Sequence, residues 1–94
     1  MAVRTHKFRG TRYRLKLGHE WRDDTKGETD TPENPKPEIR IRKGMEGLML
    51  LDTLIHEGLH ACLWDLDDDA VGASASDIAR LLWRLGYRKQ STEQ

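Results

Sequence analysis

Residues 48–64 read LMLLDTLIHEGLHACLW, and this stretch decides the fold. Its apolar residues recur at helical spacing, which predicts an α-helix that ends near Trp64. The apolar positions surround almost the whole helix, so the pattern also predicts that the helix is buried. His56 and His60 are four residues apart and therefore share one helix face.

With Glu57, the two histidines form the pattern H-E-x-x-H. At this spacing two imidazole nitrogens can bind one tetrahedral metal ion, and a catalytic zinc site uses three protein ligands so that a water molecule takes the fourth position. Glu57 is next to the first histidine and is the expected general base toward that water. The alternative is that these three residues have this spacing by chance on a buried helix.

A second helix is predicted after a short polar turn. Asp67 is its expected N-cap and Gly86 its expected end. So few residues join the two helices that they are predicted to pack antiparallel. We predict Asp77 as the third metal ligand, because it borders the apolar stripe of the second helix and lies about as far beyond the turn as His56 lies before it.

Other acidic residues near the turn remain alternatives for the third ligand, namely Asp65, Asp67 and Asp69. Asp77 can also be interpreted as a surface carboxylate paired with an arginine of its own helix, or as an outer acceptor for a ligand histidine. Asp52, four residues before His56, is a second candidate for that outer role.

Two segments before the helix, residues 11–17 and 38–42, alternate between apolar and charged side chains and predict half-buried strands. Residues 20–22 could form another short strand. Residues 23–37 are polar, acidic and proline-rich, which predicts a long exposed loop.

The predicted fold class is therefore α+β. We expect a small two- or three-stranded antiparallel sheet followed by an antiparallel helical hairpin. This would be one minimal domain over residues 1–89, with a disordered tail over residues 90–94.

Composition narrows the functional classes. The 94 residues contain 16 Lys and Arg and 16 Asp and Glu, so net charge gives no case for nucleic acid, although residues 1–17 contain six lysines and arginines and no acid. Cys62 is the only cysteine, which excludes an intrachain disulfide and favours a reducing cytoplasmic setting. The N-terminus lacks the apolar segment of a secretory signal, and no apolar run is long enough to span a membrane.

His56-Glu57-x-x-His60 resembles the active-site helix of the zincin metallopeptidases. The wider layout of residues 11–88 resembles small metallopeptidases carried by bacteriophages, and is more distantly similar to the ImmA/IrrE and SprT-like minimal zincins. The resemblance implies that His56 and His60 are zinc ligands and that Glu57 is the general base. It also implies a cytoplasmic location, in the host if the chain is phage-encoded.

The predicted function is zinc-dependent hydrolysis of peptide bonds in a peptide or protein substrate, which would lie along the strand at residues 38–42. The alternative is a non-catalytic module in which zinc only staples the two helices, with the basic N-terminal strand contacting protein or nucleic acid. Glu57 separates the two, because a purely structural site needs no carboxylate beside an open coordination position.

Overall fold

The computed structural model describes residues 4–89, so the predicted tail over residues 90–94 lies outside the described residues. Four strands precede two helices, which confirms the α+β class. The elements are β1 (Thr5–Phe8), β2 (Thr11–His19), β3 (Gly27–Thr29), β4 (Glu38–Arg42), α1 (Gly47–Cys62) and α2 (Asp68–Arg84). Neither helix is long and apolar enough to cross a membrane within this part of the chain.

The sheet is larger than predicted, and it is mixed rather than antiparallel. Its strand order is β1-β2-β4-β3. Strands β1 and β2 pair antiparallel, as do β3 and β4, but β2 and β4 are parallel, with Leu15 opposite Ile39 and Leu17 opposite Ile41. The prediction of an antiparallel sheet was therefore wrong at its centre, where the long segment between β2 and β4 brings the chain back to run in the same direction.

Strand β1 joins β2 through a two-residue turn at Arg9 and Gly10. Both residues have positive φ, 48° and 86°, as in the turn whose twist matches that of two antiparallel strands. Strand β3 lies inside the segment that the sequence predicted to be a loop, and the predicted strand at residues 20–22 is absent. Strand β4 has the predicted bounds.

The inner face of the sheet carries the core. Tyr13, Ile39 and Ile41 are buried there against Ala61 of α1, with other apolar side chains packed around them, namely Phe8, Leu15, Met45 and Leu50. Burying such residues stabilises the fold by about 1.5–3 kcal/mol for each large aliphatic or aromatic side chain. The alternation in β4 predicted this correctly, because Ile39 and Ile41 point inward and the arginines beside them point outward.

The helices form an antiparallel hairpin. Asp52 of α1 lies opposite Ser76 of α2, and farther along the pair Gly72 faces His56 and Asp68 faces His60. All three contacts are symmetric about residue 64, in the middle of the connecting turn. This register decides which acidic residue can reach the histidines.

Both ends of α2 follow the sequence prediction. The Asp67 side chain accepts a hydrogen bond from the Ala70 amide at 3.0 Å, as expected of an N-cap. At the other end Gly86 has φ 93°, and its amide and that of Tyr87 donate back to the last turn of the helix. Helix α1, in contrast, ends at Cys62, two residues before the predicted end.

Helix α1 is less buried than its composition predicts. Only three of its residues, Thr53, Glu57 and Ala61, are buried, while Met49 and Leu54 are 53% and 40% exposed. The sheet covers one side of α1 and α2 covers another, and a sheet with short strands leaves the remaining apolar positions at the surface.

Arg40 anchors the end of β3 to β4. Its guanidinium contacts three carboxylates, those of Asp30 at 2.7 Å, Glu38 at 2.9 Å and Glu28 at 3.2 Å. The hydrogen bond from Arg40 lowers the pKa of Asp30, although partial burial of the carboxyl opposes the shift. Arg40 and Asp30 are about one-fifth exposed, so solvent screens this pair only partly.

We therefore expect Arg40→Ala to lower the free energy of unfolding by about 1–3 kcal/mol at neutral pH. Because the pKa of Asp30 is lower in the folded state, the pair stabilises the fold above the unfolded value of about 3.9 and loses that effect as pH falls through the folded value. Urea unfolding between pH 7 and 3 should thus show the two proteins converging in acid. A difference that stays constant with pH would contradict the Asp30 linkage.

Candidate metal centre

His56 and His60 face the same side of α1, as their spacing predicts. Their Nε2 atoms lie 3.1 Å apart, and the ring planes meet at 63°. Gly72 of α2 faces the His56 ring, and a Cβ atom at that position would lie 3.6 Å from Cε1. The two helices can therefore approach each other closely at this level.

Asp68 completes a group of three possible ligands. Its Oδ1 atom lies 2.8 Å from Nε2 of His60 and 3.6 Å from Nε2 of His56. Among the His, Cys, Asp and Glu residues within 4–89, these three form the group whose side chains are close enough together to hold a metal ion. Asp68 is in the first turn of α2, where the helix dipole favours a carboxylate.

The spacing of these atoms fits a tetrahedral ion. With metal–ligand distances near 2.0–2.1 Å, any two ligand atoms of a tetrahedral zinc site lie about 3.3 Å apart. The three distances between the atoms of His56, His60 and Asp68 are 2.8, 3.1 and 3.6 Å. Two imidazole nitrogens and one carboxylate oxygen also form a donor set that a catalytic zinc ion uses, with one position left open.

Asp77, the ligand predicted from the sequence, is not brought to this group. Its Oδ1 atom accepts a hydrogen bond from Nη2 of Arg80 at 2.8 Å, and 76% of its side chain is exposed. In the hairpin register Asp77 is level with Leu51, about 7.5 Å along the helix axis from His56. The sequence argument placed the middle of the turn too late in the chain: in the observed register Gly72 faces His56, and Asp68 faces His60.

The remaining acidic candidates have other positions. Asp67 caps α2, and neither Asp65 nor Asp69 is part of the ligand group. Asp52, the proposed outer acceptor, instead accepts a hydrogen bond from the Ser76 hydroxyl at 2.9 Å. Sequence reasoning missed Asp68, although counting the helix pair from Trp64 would have placed it opposite His60.

Glu57 is the one buried acid at this site, with 6% of its surface exposed. Its carboxylate points to β3, where the Thr29 hydroxyl lies 2.7 Å from Oε1. Gly27 of the same strand leaves room for Oε2, because a Cβ atom there would lie only 2.8 Å from it. Nothing in the sequence predicted these contacts, since both residues lie in the segment that was expected to be a loop.

An open cleft of about 380 Å³ joins the three ligand candidates, Glu57 and the β3 segment. Trp64 stands at its rim. The lining residues include several acids but neither lysine nor arginine: Gly27, Glu28, Thr29, Asp30, Thr31, His56, Glu57, His60, Trp64 and Asp68. The cleft therefore brings the H-E-x-x-H residues and the edge of the sheet to one surface.

The strand beside this cleft is β3, not β4. The sequence placed a bound peptide along residues 38–42, but β4 lies between β2 and β3 and has no free edge. Within residues 4–89, β3 pairs with β4 alone, and its residues line the cleft, so its other edge is open there.

A search of protein-family models, of curated proteins and of solved structures finds no match to this chain.

The choice between Asp68 and Asp77 can be tested by matched substitutions on one helix. We expect Asp68→Ala to weaken zinc binding by at least about 10–100-fold, because loss of a residue that merely supports a ligand already has an effect of that size. Asp77→Ala should leave zinc binding unchanged, because its carboxylate pairs with Arg80. Competition with a chromophoric zinc chelator measures both, and the reverse order would return the third ligand to Asp77.

Proposed function

We propose that this protein is a zinc-dependent hydrolase of peptide bonds, with His56, His60 and Asp68 as metal ligands and Glu57 as general base. One observation carries the proposal. The buried Glu57 carboxylate, which is hydrogen-bonded to the sheet, lines the same open cleft as His56, His60 and Asp68, whose ligand atoms are spaced as around one metal ion. The phage-type zincin resemblance of the H-E-x-x-H helix supports the same chemistry.

Each part of the site has a separate chemical role in this proposal. When bound, zinc would supply a Lewis acid that polarises a carbonyl group and lowers the pKa of water to near neutral pH. Glu57 takes the proton from the attacking water and delivers it to the amine that leaves when the peptide bond breaks. Glu57 is suited to this role because its buried side chain lines the same cleft as the candidate ligands His56 and His60.

The open edge of β3 is the proposed docking place for the substrate. An extended peptide can add to a free strand edge through main-chain hydrogen bonds, without any demand on its sequence. The edge is short, because β3 spans only Gly27–Thr29. Binding there would bring the peptide across the cleft that His56 and His60 line.

The test begins with metal-free protein, reloaded with zinc and analysed for bound metal. The loaded protein is then incubated with fluorescein-labelled casein. We expect one zinc ion per chain and release of labelled fragments that a chelator stops and added zinc restores. Zinc binding without cleavage of casein or of a random peptide mixture would overturn the peptidase proposal, and absence of zinc binding would overturn the metal site as well.

The second candidate function is a zinc staple without catalysis. It rests on the finding that the ligand candidates come from both helices, so that a bound ion would join α1 to α2 across their turn. A small domain gains stability from such a link. The staple gives Glu57 no task, however, and leaves unexplained why a buried carboxylate faces the cleft.

A further inference from the structure

We propose that strand β3 positions the general base: Thr29 fixes one carboxylate oxygen of Glu57 by a hydrogen bond, and Gly27 provides the space for the other. This inference rests on the proposed function, because it assigns the two strand residues a task in the same reaction. Thr29 and Gly27 are positioning residues, since they act through Glu57.

The Thr29 contact has the geometry of a strong hydrogen bond. Its Oγ1 atom lies 2.7 Å from Oε1 of Glu57 and 3.1 Å from the carbonyl oxygen of the same residue. A hydroxyl group has one hydrogen to donate, and the carboxylate oxygen, at the shorter distance, is the better-placed acceptor. Within residues 4–89, the side-chain hydrogen bond to this carboxylate is donated by Thr29.

Gly27 acts through the space it leaves. A Cβ atom at this position would lie 2.8 Å from Oε2 and 2.9 Å from Cγ of Glu57. Its backbone does not have the positive φ that otherwise favours glycine, so close approach of Glu57 is the reason that a side chain does not fit here. Even alanine would force the carboxylate to move.

The two constraints come from one strand geometry. Residues two apart in a strand point to the same face, so Gly27 and Thr29 both face α1 while Glu28 points to the other side and contacts Arg40. One oxygen of Glu57 is held by a donor and the other lies in a gap without a side chain. A long flexible side chain is thereby restricted to one placement beside the cleft, which lowers the cost of orienting it during reaction.

A merely structural role makes a different prediction. If Thr29 only satisfied a buried carboxylate, its loss would lower stability and leave the turnover of the folded, zinc-loaded protein unchanged. If Thr29 positions the base, loss of its hydroxyl lowers kcat while KM and zinc content stay the same, because the proposed substrate contacts use the main chain of β3 and metal ligation uses other residues.

The experiment compares four zinc-loaded variants with the full wild-type chain, using labelled casein as the probe. We expect Thr29→Val to lower kcat about tenfold or more with KM within about twofold, and Thr29→Ser to retain most of kcat because the hydroxyl remains. Gly27→Ala should also lower kcat, by displacing the carboxylate. Thr11→Val is the matched control, a strand threonine away from the cleft, and should behave as wild type.

A second readout needs no substrate. In metal-free protein, the melting-temperature shifts of Thr29→Val and Glu57→Ala should not add in the double variant, because either substitution alone removes the same hydrogen bond. Thr29→Ala replaces Thr29→Val in both measurements if the valine variant does not fold.

The outcomes separate this inference from the proposed function. A valine variant that binds zinc and cleaves at the wild-type rate would overturn the positioning role while the peptidase proposal stands. Additive melting shifts would overturn the hydrogen bond itself. If wild type and all variants bind zinc and none cleaves, the proposed function fails and the positioning role fails with it.

Discussion

Replacement of His60 by alanine should abolish stoichiometric zinc binding and, with it, any zinc-dependent rise in melting temperature. His60 is central to the ligand group, because its Nε2 atom lies within 3.1 Å of both other ligand atoms, whereas those of His56 and Asp68 are 3.6 Å apart. The two remaining groups offer one nitrogen and one oxygen, which is too few to retain zinc against a competing chelator.

A comparison of the metal-free variant with metal-free wild type separates loss of the ligand from loss of the fold. The contact of His60 with Asp68 includes a carboxylate whose side chain is 77% exposed, and exposed pairs of this kind contribute little to stability. We therefore expect the metal-free His60→Ala variant to melt close to metal-free wild type, so that lost zinc cannot be attributed to unfolding. His6→Ala, which changes an exposed histidine of β1, is the control and should keep its zinc. Full zinc retention by the His60 variant would contradict the assignment of His60 as a metal ligand.

The sequence predicts those parts of the site that depend on local geometry. The four-residue spacing of His56 and His60 places both rings on one face of α1 in any α-helix. The capping role of Asp67 and the termination of α2 at Gly86 depend equally on a few neighbouring residues, and both were predicted correctly.

The third candidate ligand could not be predicted in this way, because its position depends on how two helices align. Ending α1 at Cys62 instead of Trp64 moves the middle of the turn toward the N-terminus, and Asp68, nine residues before Asp77, comes to lie level with His60. Sequence alone gives the acids of α2 but not the register, which is set by packing along the hairpin, including the close approach at Gly72.

The sheet was only partly predictable for a related reason. Strand β4 shows its alternation in the sequence because Ile39 and Ile41 are buried. Strand β3 has three residues, one of them glycine, and its role comes from contacts with Glu57 and β4 that lie far away in the chain. Parallel pairing of β2 with β4 likewise leaves no local signal, since it depends on the path of the long connection between them.

Glu57→Gln should leave zinc binding intact and lower peptide cleavage by about 10²- to 10⁴-fold, the usual contribution of a general base. The substitution keeps the shape of the side chain and an oxygen that can accept the Thr29 hydrogen bond, while it removes the basic group. Zinc content and cleavage of labelled casein are measured on the same samples. Glu20→Gln, which makes the same chemical change at an exposed glutamate, is the control.

Stability gives this variant a second use. Glu57 is almost fully buried, and glutamine keeps both its shape and its acceptor for the Thr29 hydroxyl, so the amide variant should melt close to wild type. If the amide variant is as stable as wild type, the carboxylate is not needed for folding, which is consistent with its proposed task of proton transfer at the cleft. If the variant instead loses zinc together with activity, the carboxylate supports metal binding, and the assignment of Glu57 as the general base is overturned.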